Sequence, residues 1–414
     1  MNIIAFAARN VVRNKRRSIF AASSVMLSIL MIIILYGFIG GFMDSLIRNY
    51  TKNETGHVNI ATNGYRDRVR FMPIDDYIEN SDELSARLSE ALGTSDPRVL
   101  IAQRIRFGVL LSSDKGSKQA FAIAGDPEIE RRLLMLETKL LEGGAYSSEP
   151  GTMILGSVLA ADLGLGVGDS LKIVTEKADG GLGFKKLKIT GLFKTGVNAF
   201  DGTMFQMGLE DARSLLGMEG GAQQIAVMLG ASSGIKNALP LIRKISADSG
   251  QASLSVLPWE QIGEYPKMIK MLNPIYIWAF TVVAFLGAFI IANVITMVVL
   301  ERRREIGILM SMGMQRNRIL SLFLVEGSLL GLGGSVTGAL LGWAVNIVFS
   351  RTGFDMTSAM AGISWPLDNV IYPSASLAAP VFGILLGTFV AACVAYLPSR
   401  KAARMAPIDA IRSV

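Results

Sequence analysis

The chain has 414 residues, of which 50% are hydrophobic and only 18% charged, with a mean hydropathy of +0.41 and a formal net charge of +7. Soluble domains carry about a quarter charged residues, so an ordinary soluble enzyme is excluded. One histidine, His57, and one cysteine, Cys393, likewise exclude a disulfide, a structural zinc site and a Cys/His nucleophile pair.

The first 17 residues place Ile4, Ala8 and Val11 on one side of a helix and Arg9, Arg13 and Arg16 on another, which predicts an interfacial helix. Ile19 to Met43 gives 25 uncharged residues. As a helix that is about 37 Å, more than the roughly 30 Å hydrocarbon core, so 18–43 is the first span. It ends in Gly40, Gly41, Phe42 and Met43 with no small-residue cleavage pattern, as a retained anchor does.

Residues 44–270 have soluble composition and the periodicities of an α+β domain. Val58 and Ile60 share a strand face, as do Ile105, Phe107, Val109 and Leu111, then Leu187 and Ile189, then Leu254 and Val256. Asn80 with Glu83 resembles a capping box opening a helix with Leu84, Leu88 and Leu92 on one side, and Ile235, Leu239 and Ile242 repeat that spacing. The segment is large for one core, so two lobes are expected, with about 106–220 inserted into a lobe made from both ends. The glycine-rich "LGLGVGD" lacks the Lys-Ser/Thr of a phosphate-binding loop and reads as a turn before a strand near Ser170. In "TEKADGGLGFKKLKITG" two strand-like runs flank a glycine-rich turn, with Leu182 and Phe184 near the tip. Two readings stay open: a surface hairpin folded back on the core, or a docking element.

The second span is 271–300, apolar from Pro274 to Leu300. The connection 301–318, "ERRREIGILMSMGMQRNR", opens with charges from Glu301 to Glu305; Ile306, Ile308 and Leu309 follow, with Gly307 and Gly313. It reads either as a topological anchor or as a short amphipathic helix, broken by glycine, that presents charges to a cytoplasmic partner. The third span, 319–350, carries Gly334, Gly338 and Gly342 at intervals of four, a stripe for close helix packing within the bundle or across a dimer. Glu326, the one ionisable residue in any span, is expected to pair. A short loop, 351–371, leads to the fourth span, 372–397, and a basic tail, 398–414.

Residues 1–17, 301–318 and the tail together hold 14 basic and 3 acidic residues, leaving 27 basic and 31 acidic elsewhere. Positive charge stays inside, so both termini are expected in the cytoplasm and the large domain outside. Membrane topology explains the basic excess, and nucleic acid is not implied. No H-E-x-x-H, no G-x-S-x-G and no pair of intramembrane carboxylates occurs, so catalysis has no residues on this chain, and energy must come from another subunit.

Four motifs, "RNVVRNKRRS", "ERRREIGILMSMGMQRNRI", "VEGSLLGLGGSVTGALLG" and "PSRKAARMAPIDAIR", together resemble the FtsX-like permease superfamily of ABC transporters over nearly the whole chain. The resemblance implies four transmembrane helices, a large α+β MacB-like periplasmic core domain between the first two, and an inner-membrane location. It implies that Glu301, Arg302, Arg303, Glu305, Gly307 and Gly313 contact a cytoplasmic ATPase dimer, which would hold the ATP and Mg, and that this chain carries no cofactor. "GHVNIATNGYRD", "LAADLGLGVGDSLKI" and "ITGLFKTGVNAFDG" are most similar to the lipoprotein-releasing branch. That branch implies a second permease, lipoprotein cargo drawn from membrane lipids, a periplasmic carrier hooked at Leu182 and Phe184, and a lipid cavity between the first two spans near Phe38, Phe42, Met43, Ile275 and Tyr276. MacB-like efflux and FtsX-like signalling to a cell-wall hydrolase are the alternatives.

Overall fold

A computed structural model describes residues 3–13, 15–94, 96–113, 116–134, 139–144, 149–195, 198–230, 234–251, 253–301, 303–356 and 370–403. In chain order, α1 (Ile3–Arg13) and α2 (Lys15–Tyr50) lead into a wide helical turn, Thr51–Thr55. Then come β1 (Val58–Thr62), α3 (Asn63–Asp67), α4 (Ser81–Gly93), β2 (Leu100–Ser113), β3 (Gly116–Gly125), α5 (Pro127–Leu134), β4 (Leu140–Gly143), β5 (Thr152–Gly156) and α6 (Ser157–Leu163). They are followed by β6 (Ser170–Glu176), β7 (Leu182–Phe193), α7 (Asn198–Asp201), β8 (Met204–Gly208), α8 (Leu209–Leu216), β9 (Gln224–Met228), α9 (Ile235–Ala247) and β10 (Leu254–Pro258). The chain ends in α10 (Tyr265–Glu301), α11 (Arg303–Ser311), α12 (Arg316–Thr352), the short strands β11 (Phe354–Asp355) and β12 (Val370–Ile371), and α13 (Ala378–Ala403).

Two compact units result, one within 1–45, 269–358 and 370–414 and the other within 46–268. Among the described residues, four helices are long and apolar enough to cross a membrane: those of Ser18–Thr55, Tyr265–Ile290, Arg316–Thr352 and Ala378–Arg400. α2 continues past Met43 to Tyr50, and α10 starts at Tyr265, ahead of the expected 271. A helix satisfies its own backbone, so it need not stop where the hydrocarbon does.

The aqueous unit holds one sheet in the order β10-β1-β9-β2-β3-β8-β5-β7-β4, with β6 beside β2 and β7. The two ends of the 46–268 segment supply β10, β1 and β9, and its middle supplies the rest. β2 serves both: its residues 100–104 pair with β9 and 104–113 with β3. One sheet therefore continues through residue 106, where a lobe boundary is expected. The expected strand faces form the core, with Ile105, Phe107, Leu111, Leu187 and Ile189 at 0–1% exposure. Leu84, Leu88 and Leu92 of α4 are buried as their spacing requires. The capping box is not formed: Asn80 precedes α4, yet its side chain accepts no hydrogen bond from the helix. The glycine-rich 164–169 segment is a turn, with Gly164 at φ +61 ending α6 and Asp169 accepting from Gly166 N at 2.8 Å.

Candidate functional site

In the membrane unit, the glycine stripe of α12 has a definite partner. Gly334, Gly338 and Gly342 lie on α2, so close that a Cβ at Gly338 would overlap the Met26 backbone and one at Gly334 the Ala22 carbonyl. Gly331 fits against Ala391 of α13, and Gly383 and Gly387 of α13 fit against Ile29 and Ile33 of α2. Without a hydrophobic driving force between helices in lipid, such close backbone approach supplies the attraction. Asn346 Nδ2 adds a buried hydrogen bond to Ile33 O at 2.8 Å, and Glu326 is buried in the same helix. Spans α2, α12 and α13 thus form a tight core, while the apolar window of α10 is only 6% buried against 50% for α12.

The residues expected to line a lipid cavity do not all face one space. Phe38 stands edge-on to Phe354 with centroids 5.8 Å apart, so it is covered by the β11 segment. Phe42, Met43 and Tyr276 are half-buried and Ile275 is exposed. α10 meets α2 through Tyr36 and Phe280, 6.0 Å apart, and through Gly287 beside Ser28. The gap between α2, α10 and α13 at Ser28, Ile32 and Gly287 measures about 20 Å³, room for a methyl group and not for an acyl chain.

At the connection between the second and third spans, α11 takes the short-helix reading of the two left open, running through Gly307 unbroken, and Gly313 follows it with φ +88, which other residues adopt only with strain. Gly307 is buried. Glu305 is exposed and its Oε1 lies 3.8 Å from Arg13 Nη2 of α1. Arg302 lies outside the described residues, and only the helical backbone is described for Glu301 and Arg303. Met310 and Met314 pack on the bundle core, whereas Ile308 and Met312 are exposed. Of that last pair the sequence pattern marks Ile308 and not Met312, which lies just past the end of α11.

In the aqueous unit, Leu182 and Phe184 are 65% and 68% exposed. The turn between β6 and β7 is tied down: Ala178 N donates to Leu216 O at 2.9 Å, and Gly183 abuts the Leu215 carbonyl. It is a strand edge docked on α8, not a freestanding arm. Strand register sets Leu110, Val174 and Phe184 side by side across β2, β6 and β7. Phe121 of β3, opposite Gly108, is exposed beside them, and Lys172, Lys186 and Lys188 border the row on the same face. The missed residues here, Leu110 and Phe121, stand on the two strands of one hairpin and join Phe184, far away in sequence, only through strand pairing.

Buried charges fix the segment that follows α2. Arg104 holds Glu130 at 2.6 and 2.9 Å, both side chains 1% exposed, and donates to Lys52 O at 2.5 Å. Arg106, on the same strand, holds Glu54. Burial works against the Arg106 charge, but Glu54 outweighs it and raises its pKa. Burial without a carboxylate partner instead lowers Arg66 to about 10, although its guanidinium donates to Asn59 O and Ser255 O. Burial also lowers the pKa of His57, whose Nδ1 accepts from Leu229 N at 3.0 Å.

Residues 277–407 match the family described as FtsX-like permease C-terminal, and residues 18–245 match the MacB-like periplasmic core domain. The chain is similar to the lipoprotein-releasing system transmembrane protein LolC of Xylella fastidiosa, 26% identical over 336 residues, covering 78% of this chain and 80% of that one. It is 29% identical over 251 residues to an ABC transporter permease of Methanocaldococcus jannaschii, 59% of this chain but only 57% of the archaeal protein's length. Similarity to a macrolide export ATP-binding/permease protein MacB of Shewanella is 31% over 125 residues, 30% of this chain and 17% of that protein. Among solved structures, the periplasmic region of MacB from Actinobacillus actinomycetemcomitans aligns at 11% identity and TM-score 0.35, covering 51% of this chain and 92% of that one.

Proposed function

Because the chain belongs to the ABC transporter permeases that join an FtsX-like C-terminal half to a MacB-like periplasmic core domain, we propose that it is the permease of a lipoprotein-releasing system. As a permease of this family it is a multi-pass membrane protein with an extracytoplasmic domain, and it works with a partner ATPase. In the proposed reading it sits in the inner membrane with both termini cytoplasmic, paired with a second permease and with an ATPase dimer that binds ATP and Mg. The observation that carries the reading is the reach of the similarity to LolC, across 78% of this chain, where the match to MacB reaches 30%.

The work is mechanical. The ATPase would grip the 301–318 segment through Glu301, Arg302, Arg303 and Glu305, with Gly307 and Gly313 setting its shape and Ile308 and Met312 giving apolar contact. Movement of the spans would draw a lipid-anchored protein out of the outer leaflet through a space bounded by Phe38, Phe42, Met43, Ile275 and Tyr276, completed by the second permease. The apolar row of Leu110, Phe184 and Leu182 would receive the periplasmic carrier. The tied-down hairpin turn favours a second reading for that face alone, in which this is the permease of the pair that does not hold the carrier, or an efflux or signalling relative that has none.

The test is ATP-dependent release of a radiolabelled lipoprotein from proteoliposomes containing this chain and its ATPase, with and without carrier. Release lost in Glu301→Ala and Glu305→Ala with the complex still assembled supports extraction and the coupling role. ATP hydrolysis without release removes lipoprotein extraction and leaves efflux or signalling.

A further inference from the structure

Phe71 is 86% exposed, more than any other large hydrophobic side chain among the described residues, the lipid-facing ones of the spans included. Yet it belongs to the aqueous unit. It ends a tight turn, Val69–Phe71, and Met72 closes that turn at φ +49, ψ +56. Met72 is the one non-glycine residue described with positive φ. Such a backbone costs on the order of 1 kcal/mol and persists only when its surroundings impose it. Here the stem imposes it: Arg68 pairs with Asp75 at 3.1 Å and Asp76 at 3.6 Å, and Gln223 Nε2 donates to Pro73 O at 2.7 Å. The turn is therefore held in a shape that projects an aromatic ring away from the core, with Val69 also exposed.

Its position within the unit identifies what it meets. Arg70 Nη2 lies 3.7 Å from Glu264 Oε1, and Glu264 is the last residue before α10 begins its course toward the membrane. Next to it Tyr265 stacks on Tyr50 with centroids 4.8 Å apart, and the Tyr50 hydroxyl donates to Ile262 O at 2.6 Å. The segments that connect with both flanking spans meet at this corner. Tyrosine, arginine and a lone aromatic tip are the side chains a lipid headgroup layer accepts. A protein interface needs roughly 800 Å² from each partner, whereas the tip offers two apolar side chains between arginines. A bilayer can take up such a small wedge where flanking spans already supply the main attachment.

We propose that the Arg68–Met72 turn is an interfacial anchor that inserts Phe71 and Val69 among the headgroups of the phospholipid bilayer, with Arg70 at the phosphates. The anchor would hold this corner of the aqueous unit at the membrane surface. It rests on the membrane topology and not on lipoprotein release.

The single cysteine makes the test direct. In a Cys393→Ser background, Phe71→Cys or Val69→Cys is labelled with an environment-sensitive fluorophore, and Leu241→Cys on α9 serves as the aqueous control. The full chain is reconstituted in phosphatidylcholine/phosphatidylglycerol vesicles with and without 5-doxyl lipid. Doxyl lipid should remove about half of the emission at positions 69 and 71, a depth within the headgroup and upper acyl region, and leave position 241 unchanged. Quenching at 69 and 71 equal to that at 241 would overturn the proposal. Shielding from aqueous iodide without doxyl quenching would overturn it too, by pointing to a protein contact. Because the readout is independent of transport, it stands or falls apart from the release assay.

Discussion

Asn346 on the third span donates its side-chain amide to the backbone carbonyl of Ile33 on the first, and Gly37, one turn further on, gives the amide its room. Replacing Asn346 with Leu should therefore remove a bond and leave an apolar group facing a carbonyl, lowering stability by about 1 kcal/mol, as for other interhelical hydrogen bonds in membranes. Thermal unfolding of the detergent-solubilised chain measures this. No change would mean that the carbonyl finds another donor.

Glycines of the same span separate cleanly by environment. Gly338→Ala puts a Cβ into the Met26 backbone, whereas at Gly333 a Cβ meets nothing within 4 Å. Overpacking should cost Gly338→Ala about 1–3 kcal/mol, while Gly333→Ala should be neutral or gain up to roughly 1 kcal/mol from helix propensity. Equal behaviour of the two variants would contradict the seam between α2 and α12.

In the aqueous unit, Glu130→Gln leaves the Arg104 guanidinium buried without its counter-charge. That should cost about 3–5 kcal/mol, and the double variant Arg104→Met with Glu130→Leu should recover much of the loss. Urea unfolding of the full chain, with Trp278, Trp343 and Trp365 replaced by Phe so that Trp259 alone emits, reports it, since Trp259 is buried in this unit. Failure of the double variant to recover would show that the Arg104 bond to Lys52 O matters more than the ion pair.

His57 sets a pH dependence. Burial lowers its folded-state pKa below the ordinary value of 6.5. Between those two values the unfolded chain binds more protons than the folded one, so stability rises with pH across this window. The contribution is complete above 6.5 and is lost as pH falls through the folded-state pKa. Protonation also removes the acceptor for Leu229 N. Melting temperatures measured from pH 8 to 5 should fall toward the acid side, and His57→Asn should flatten the decline. A decline of unchanged steepness in the variant assigns it to other groups.

Leu182→Ser with Phe184→Ser should leave the melting temperature unchanged, because both side chains are largely exposed. Under the carrier reading the pair should abolish carrier-dependent release and spare ATP hydrolysis. Release at the parental rate would remove the carrier from this face.

The spans and the strand faces were legible because each is a local periodicity: Ile19 to Met43 is a run, and Ile105, Phe107, Val109 and Leu111 alternate. The helix at 303–311 was one of two readings, because its charge run alone does not separate an anchor from a helix. The capping box failed because Asn80 and Glu83 have the right spacing but Asn80 makes no bond to the helix it precedes. What sequence could not supply were the pairings. Arg104 and Arg106 look like a solvated edge until Glu130 and Glu54 arrive from other elements. The glycine stripe announced close packing, yet its partner, α2, lies some three hundred residues away. Phe71 carries no periodic signal, since one aromatic in a polar stretch is ordinary until its exposure is known.

The glycine seam has a mechanical corollary. Backbones in contact along three helical turns leave α2 and α12 no lateral slack, and α13 is keyed to both by its own small residues. These three spans are packed as one frame. α10, whose apolar stretch is only 6% buried, is the span least held by it among the described residues, and under the proposed function a stroke delivered at α11 would be carried outward by whichever part yields first.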